Sequence, residues 1–182
     1  MGKMSKDRPD WDYYFMFQAA LAATRSSCMY IDAGAVVVKD ERVLATGYNG
    51  APPGNKSCLV RGCNKDLEGI SQELKGSGTC RGTHAEMNAL QYAGKDANGS
   101  TLYTLILPCS HCAKQAASAK VKKVVYALEY VTSGKSEGDL TRAIFAEAGI
   151  ALEQVKIVED YQKQHERMLR VINDNFRAHK KA

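Results

Sequence analysis

Residues 101–128, TLYTLILPCSHCAKQAASAKVKKVVYAL, decide the fold. The opening TLYTLIL (101–107) is apolar and β-branched and reads as a strand, which Pro108 ends. Residues 110–119 are rich in Ala and read as a helix, and KKVVYAL (122–128) reads as a second strand. Working outward toward the N-terminus, 84–93 carries Ala85, Ala89, Leu90 and Ala93 at helical spacing. Further out, GAVVVK (34–39) and RVLATG (42–47) form a hairpin joined at Asp40 and Glu41. A first helix is expected over 11–26, with Tyr14, Phe15, Phe17, Leu21 and Ala22 on its apolar face and Asp10 or Asp12 as cap. Toward the C-terminus, 137–148 reads as a helix closed by Gly149, and 155–158 as a short strand. A long polar helix over 160–179 carries Met168, Leu169, Ile172 and Phe176 as its stripe. Strand and helix alternate after the hairpin. The expectation is an α/β chain: a three-layer α/β/α sandwich with a mixed five-stranded sheet, in one domain over 1–182.

One segment resists this pattern. Residues 48–83 are rich in Gly, Pro and Cys, with little periodicity beyond a helical turn expected near 67–74. Irregular loops beyond ~15 residues in a compact domain are usually functional or disordered. Three cysteines in this one argue against disorder.

Composition narrows the functional classes. With 45% hydrophobic and 25% charged residues, the chain has the mixture of a soluble globular protein. No stretch approaches the ~20 apolar residues of a membrane span, and 1–10 lacks the apolar core of a secretory signal. Lys6 stands where myristoylation after Gly2 would need Ser or Thr. The expected location is the cytoplasm, with no membrane partner. The net charge of +5 is scattered; the local runs at Lys120, Lys122 and Lys123 and at Lys180 and Lys181 read as solvated surface rather than a nucleic-acid footprint. Six cysteines in an intracellular chain point to metal or catalysis before disulfides.

Two short motifs carry the chemistry: His84-Ala85-Glu86 and Pro108-Cys109-Ser110-His111-Cys112. Each opens an expected helix. The Cys-x-x-Cys spacing lets two thiolates on one turn hold a single metal, and a helix N-terminus stabilises their charge. His84 adds a third ligand. Three protein ligands leave the fourth zinc position to water, the arrangement of catalytic rather than structural zinc. Glu86, two residues from His84, reaches that water without being a ligand and can move its protons. The bland alternative is a structural zinc with His111 or a further Cys as fourth ligand, which leaves Glu86 idle.

The paired motifs resemble the signature of zinc-dependent deaminases. Further segments are similar to the deoxycytidylate (dCMP) deaminases of the cytidine deaminase-like superfamily: WDYYFM (11–16), RSSC (25–28), GAVVVKD (34–40), GYNGAPPG (47–54), CRGTHAEMNA (80–89), TLYTLILPCSHCAK (101–114) and KKVVYALEY (122–130). The resemblance runs from about Asp10 to Ile150 and leaves out the C-terminal helix. It implies hydrolytic deamination of dCMP to dUMP and ammonia, with His84, Cys109 and Cys112 holding Zn2+ and Glu86 as proton shuttle. It further implies that Asn49 contacts the sugar, that the Ala85 N–H meets the base carbonyl, and that Tyr130 borders the base. Arg25, Ser26 and Ser27 become candidate phosphate partners. Each has an ordinary alternative: a turn Asn beside Gly50, a rim Tyr, the end of a helix.

Family members are commonly homohexamers activated by dCTP and inhibited by dTTP. Tyr48, Gly50, Gly54 and Lys95 are the candidates for such an effector site, and Mg2+ would accompany a triphosphate there. Gly47, Gly50 and Gly54 would also let backbone amides approach phosphate. Similar loops in bacterial and phage relatives carry cysteines, so Cys28, Cys58, Cys63 and Cys80 are candidates for a second, structural zinc that orders the loop. Burial as a small hydrophobe is the alternative for Cys28. Rival readings are another deaminase of the superfamily, acting on dCTP, a tRNA base or a riboflavin precursor, and a non-catalytic zinc-binding regulatory subunit.

Overall fold

The computed structural model describes residues 9–71, 80–129, 136–156, 166, 167 and 169. Helix α1 (Trp11–Ala23) starts where the Asp10 carboxylate accepts the Tyr13 N–H at 2.8 Å. Strands β1 (Gly34–Lys39) and β2 (Arg42–Tyr48) form the hairpin. Its turn residues Asp40 and Glu41 both take positive φ, 49° and 59°, the twist that suits a two-residue turn. Two short helices follow in the long loop, α2 (Cys58–Arg61) and α3 (Asn64–Leu67). Then come α4 (Ala85–Ala93), a 3-10 turn (Gly94–Ala97), β3 (Thr101–Ile106), α5 (Ser110–Ser118), β4 (Lys123–Leu128), α6 (Ser136–Glu147) and β5 (Ala151–Gln154).

The sheet order is β2-β1-β3-β4-β5. Pairing is antiparallel on the hairpin side and parallel between β3, β4 and β5, so the five-stranded sheet is mixed. Alternation along the central strands builds two cores. Ala35, Val37, Leu102 and Val124 meet Ala89 and Leu90 of α4, Ala113 and Ala116 of α5, and Phe145 of α6. Val36, Val38, Tyr103 and Val125 meet Phe15, Met16 and Ala19 of α1. The three layers expected from the sequence are therefore α1, the sheet, and α4–α6.

Small residues set how closely these layers approach. A Cβ on Gly34 would run into the carbonyl oxygen of Ala19 in α1, and one on Gly47 into that of Ala85 in α4. At Gly47 the structure thus supplies a packing reason for glycine. Backbone does not yield as a flexible side chain does. Gly34→Ala is expected to destabilise by about 3 kcal/mol, a Tm loss of roughly 10 °C by scanning calorimetry. An unchanged Tm would show that α1 can slide away freely.

Several boundaries differ from the reading of the sequence. Among the described residues the last strand is Ala151–Gln154; of the strand expected over 155–158, Val155 and Lys156 lie outside it and 157–158 fall outside the described residues. It is a largely exposed edge strand, so it needs no apolar run; the chain turns at Gly149 and pairs with Lys123–Tyr126 at once. Val155 packs against the α1-side core instead. Helix α1 stops at Ala23, and Arg25 and Ser26 close it with N–H bonds to the Ala22 and Ala23 carbonyls. The helical turn expected near 67–74 begins earlier, as α3, and 72–79 lies outside the described residues. So does most of the expected helix over 160–179. Among the described residues no helix is long and apolar enough to cross a membrane.

Candidate functional site

Both chemical motifs sit at helix starts on the same face of the sheet. His84 precedes the first residue of α4, and Cys109 precedes that of α5. β3 delivers Cys109, and the Leu107 N–H bonds to Leu128 O at 2.8 Å to hold that exit. The result is a compact donor set. His84 Nδ1 lies 3.5 Å from Cys109 Sγ and 3.4 Å from Cys112 Sγ. Tetrahedral zinc, with bonds of about 2.0–2.1 Å to nitrogen and 2.3 Å to sulfur, would place such atoms roughly 3.5 Å apart. The three ligand atoms all lie within 4.8 Å of one another, so these residues fit a zinc ion. The two sulfurs behave as a pair sharing a proton. The hydrogen bond from Cys112, with help from His84, pulls the Cys109 thiol down to about 3. The same bond to Cys109, together with burial, pushes Cys112 up.

Glu86 stands beside the set rather than in it. The Cys112 thiol donates to its Oε2 at 3.5 Å, and the Thr104 hydroxyl donates to its Oε1 at 3.3 Å. The carboxylate is only 6% exposed, and burial raises its pKa. Thr104, on β3, and Glu137, on α6, were not singled out from the sequence. Glu137 Oε1 accepts the Ser110 N–H at 2.7 Å and so caps α5. Their signal is tertiary: a polar residue on a strand and an acid in an unrelated helix become meaningful only when folded.

A cavity of about 840 Å³ opens in front of these residues, within the range of small-molecule sites. Asn49, Ala85 and Ser27 lie on its wall. The Asn49 amide also ties the wall together: Oδ1 accepts the Ala33 N–H at 2.9 Å, and Nδ2 donates to Ile31 O at 2.8 Å. Ser26 serves a turn, its hydroxyl accepting the Cys28 N–H and donating to Ile31 O. Arg25 is exposed at the end of α1. Tyr130 lies outside the described residues. Of the effector-site candidates, Gly50 is on the cavity wall and bridges to Thr83. Tyr48 is exposed and its carbonyl accepts from Asn88, Gly54 sits in a turn with φ 83°, and Lys95 is exposed in the 3-10 turn.

The remaining cysteines share this cavity. Cys28, Cys58, Cys63 and Cys80 all line it. Burial and the neighbouring thiols Cys63, Cys28 and Cys80 push the Cys58 thiol up, and Arg81 pulls it down. A buried guanidinium nitrogen of Arg81, Nη1, has no hydrogen-bond partner. Chemically, four thiols beside an unsatisfied cation suit a metal bound as thiolates. Geometrically, they are less closed than the first set: among the described residues, the one group of three donors mutually within ligand distance is His84, Cys109 and Cys112.

Comparison with known proteins follows the same lines. Residues 9–128 match the family model of the cytidine and deoxycytidylate deaminase zinc-binding region. The chain belongs to that deaminase family. It is 45% identical to the deoxycytidylate deaminase of Mycobacterium phage D29 over 125 residues, which is 67% of this chain and 98% of the phage protein. It is 39% identical to the deoxycytidylate deaminase of Saccharomyces cerevisiae over 155 residues, covering 84% of this chain and about half, 47%, of the yeast protein. A similar solved structure is the dCMP deaminase of cyanophage S-TIM5 in complex with dCMP and dUMP. It shares 30% identity at a TM-score of 0.64, over 82% of this chain and 100% of the other. The five-stranded mixed sheet is thus the family fold, and the His84–Cys109–Cys112 set lies in its zinc-binding region.

Proposed function

We propose that this chain hydrolyses the exocyclic amine of dCMP, giving dUMP and ammonia. One observation carries the reading: a buried carboxylate, Glu86, stands 3.5 Å from a sulfur of a His–Cys–Cys set whose spacing suits zinc. When bound there, zinc supplies a Lewis acid that makes water nucleophilic near neutral pH. The protein's residues do the rest. His84, Cys109 and Cys112 would hold the ion, with His84 and Cys109 on the cavity wall. Glu86 accepts a proton from the attacking water and passes protons to ring N3 and to the leaving amine. Thr104 keeps the carboxylate aimed by its hydroxyl bond.

The Ala85 N–H would meet the base carbonyl and Asn49 the sugar; the start of α4 at Ala85 and the lining of the cavity by both residues support this. Ser27 on the cavity wall supports a phosphate contact there. Similarity to proteins named deoxycytidylate deaminases supports dCMP as the base-bearing substrate. A second zinc held by Cys28, Cys58, Cys63 and Cys80 is part of the proposal; their common cavity and the unsatisfied Arg81 support it. Activation by dCTP, inhibition by dTTP and a hexameric assembly complete it, supported by the resemblance through 47–54.

Ammonia release from dCMP, with and without dCTP and dTTP, tests the whole. The expected result is turnover of dCMP well above that of dCTP, cytidine or a tRNA, raised by dCTP and lowered by dTTP. Turnover of one of the other substrates in place of dCMP would overturn the assignment. An unchanged dCMP rate would remove the regulation alone.

A further inference from the structure

Of the two cysteines in the donor set, Cys109 is the one its helix does not fix. Cys112 lies inside α5, where the helical backbone sets its direction. Cys109 stands before the helix, with extended backbone (φ −71°, ψ 167°) and no side-chain cap of its own. Peptide groups are planar, so the direction of its Cα–Cβ bond follows from how the two peptides flanking it are held.

A different helix holds both of them. The peptide before Cys109 is held through the Pro108 carbonyl, which accepts the Thr141 hydroxyl at 3.0 Å. The peptide after it is held through the Ser110 N–H, which donates to Glu137 Oε1 at 2.7 Å. Thr141 and Glu137 are four residues apart in α6, so they share one face of that helix. The helix is itself firmly seated. Phe145 is buried in the core, and Arg142 donates to Glu129, just past β4, at 2.7 Å. For covering the sheet alone, apolar residues would serve at both positions. Instead a fully buried hydroxyl and an acid on the cavity wall are both turned to the backbone of one metal ligand.

We infer that Glu137 and Thr141 are positioning residues of the metal centre: together they set where Cys109 Sγ stands, and so how tightly the His84–Cys109–Cys112 set binds zinc. This rests on the zinc reading above and adds two residues outside both motifs. Partners that orient a ligand from behind change metal affinity by about 10–100-fold. Both act through hydrogen bonds to backbone, so Glu137 serves as an acceptor and its charge is secondary.

The test measures zinc affinity by competition with a chromophoric chelator, and ligand geometry by the visible absorption of the protein loaded with cobalt(II). Glu137→Ala and Thr141→Val should each weaken zinc binding about tenfold or more and shift the cobalt bands. The double variant should lose less than the product of the two, because both act on one residue. Glu137→Gln keeps an acceptor and Thr141→Ser a hydroxyl, so each should recover most of the affinity. The ion affected should be the one that Cys112→Ser removes. If Glu137→Ala does not give the native circular dichroism, Thr141→Val against Thr141→Ser reads the same contrast with little change of volume. A lowered Tm with unaltered zinc affinity and cobalt spectrum would make the two bonds merely structural and overturn the inference. So would a loss confined to zinc held by the cysteine loop. An unaltered chain that binds no zinc through Cys112 would instead bring down the zinc reading, and this with it.

Discussion

Glu86→Gln should cut turnover of dCMP by about a thousandfold or more while leaving the fold and the zinc content unchanged. Positioned acid–base groups contribute roughly 10²–10⁴ in rate, and here one group is asked to handle every proton in the cycle. Gln keeps the shape of the side chain and can still accept the Thr104 hydroxyl bond, so the buried site need not rearrange. What it loses is the ability to take a proton. Steady-state ammonia release and metal analysis on the same preparation make the measurement. Wild-type turnover in the variant would sink the proposed chemistry, because Glu86 is the carboxylate bonded to Cys112 of the donor set. Loss of zinc along with activity would show instead that Glu86 helps hold the ion.

Cys112→Ser should remove one zinc per chain and abolish activity. Cys112 is fully buried and supplies one of three donors; serine replaces a good thiolate ligand by a poor hydroxyl one. The two cores are built from side chains of the sheet and helices other than the three ligands, so the native circular dichroism should survive. Metal analysis of the unaltered chain then separates the two sites. Two zinc ions per chain, falling to one in Cys112→Ser, would support the four-cysteine site. One falling to none would end the second zinc, provided no chelator was used in preparation. Full zinc content in the variant would contradict the ligand assignment.

In the cysteine loop Leu59, Val60 and Leu67 are exposed while Lys65 is buried. Local propensity and burial usually agree along a chain, and places where they conflict are often functional. In α3 they conflict within three residues, at Lys65 and Leu67. Nothing in the composition of NKDL signals this. Only the direction in which the short helix faces reveals it.

Much of the architecture was legible in the sequence because periodicity records burial. The central strands carry apolar residues on both faces, and β1 is buried over five of its six positions. Such strands are covered by helices on both sides, which is why a sandwich was expected. The edge strand β5 escapes the sequence pattern for the converse reason: a mostly exposed strand has no apolar signature, and Val155 just after it packs against the α1-side core. The irregular segment 48–83 could be marked as functional but not built, because its order depends on side chains meeting across the cavity rather than on repeats along the chain.

The sequence by itself determined the chemistry. A histidine, a glutamate and two cysteines at those spacings suit a zinc-assisted hydrolysis, because ligand type and short-range spacing are properties of the chain. Tertiary structure alone decided the company those residues keep. It set Thr104 against Glu86, Glu137 at the start of α5, and Lys65 and the four further cysteines on the wall of one cavity. These residues are dispersed along the chain, and no local pattern encodes contacts that only the closing of the sandwich brings about.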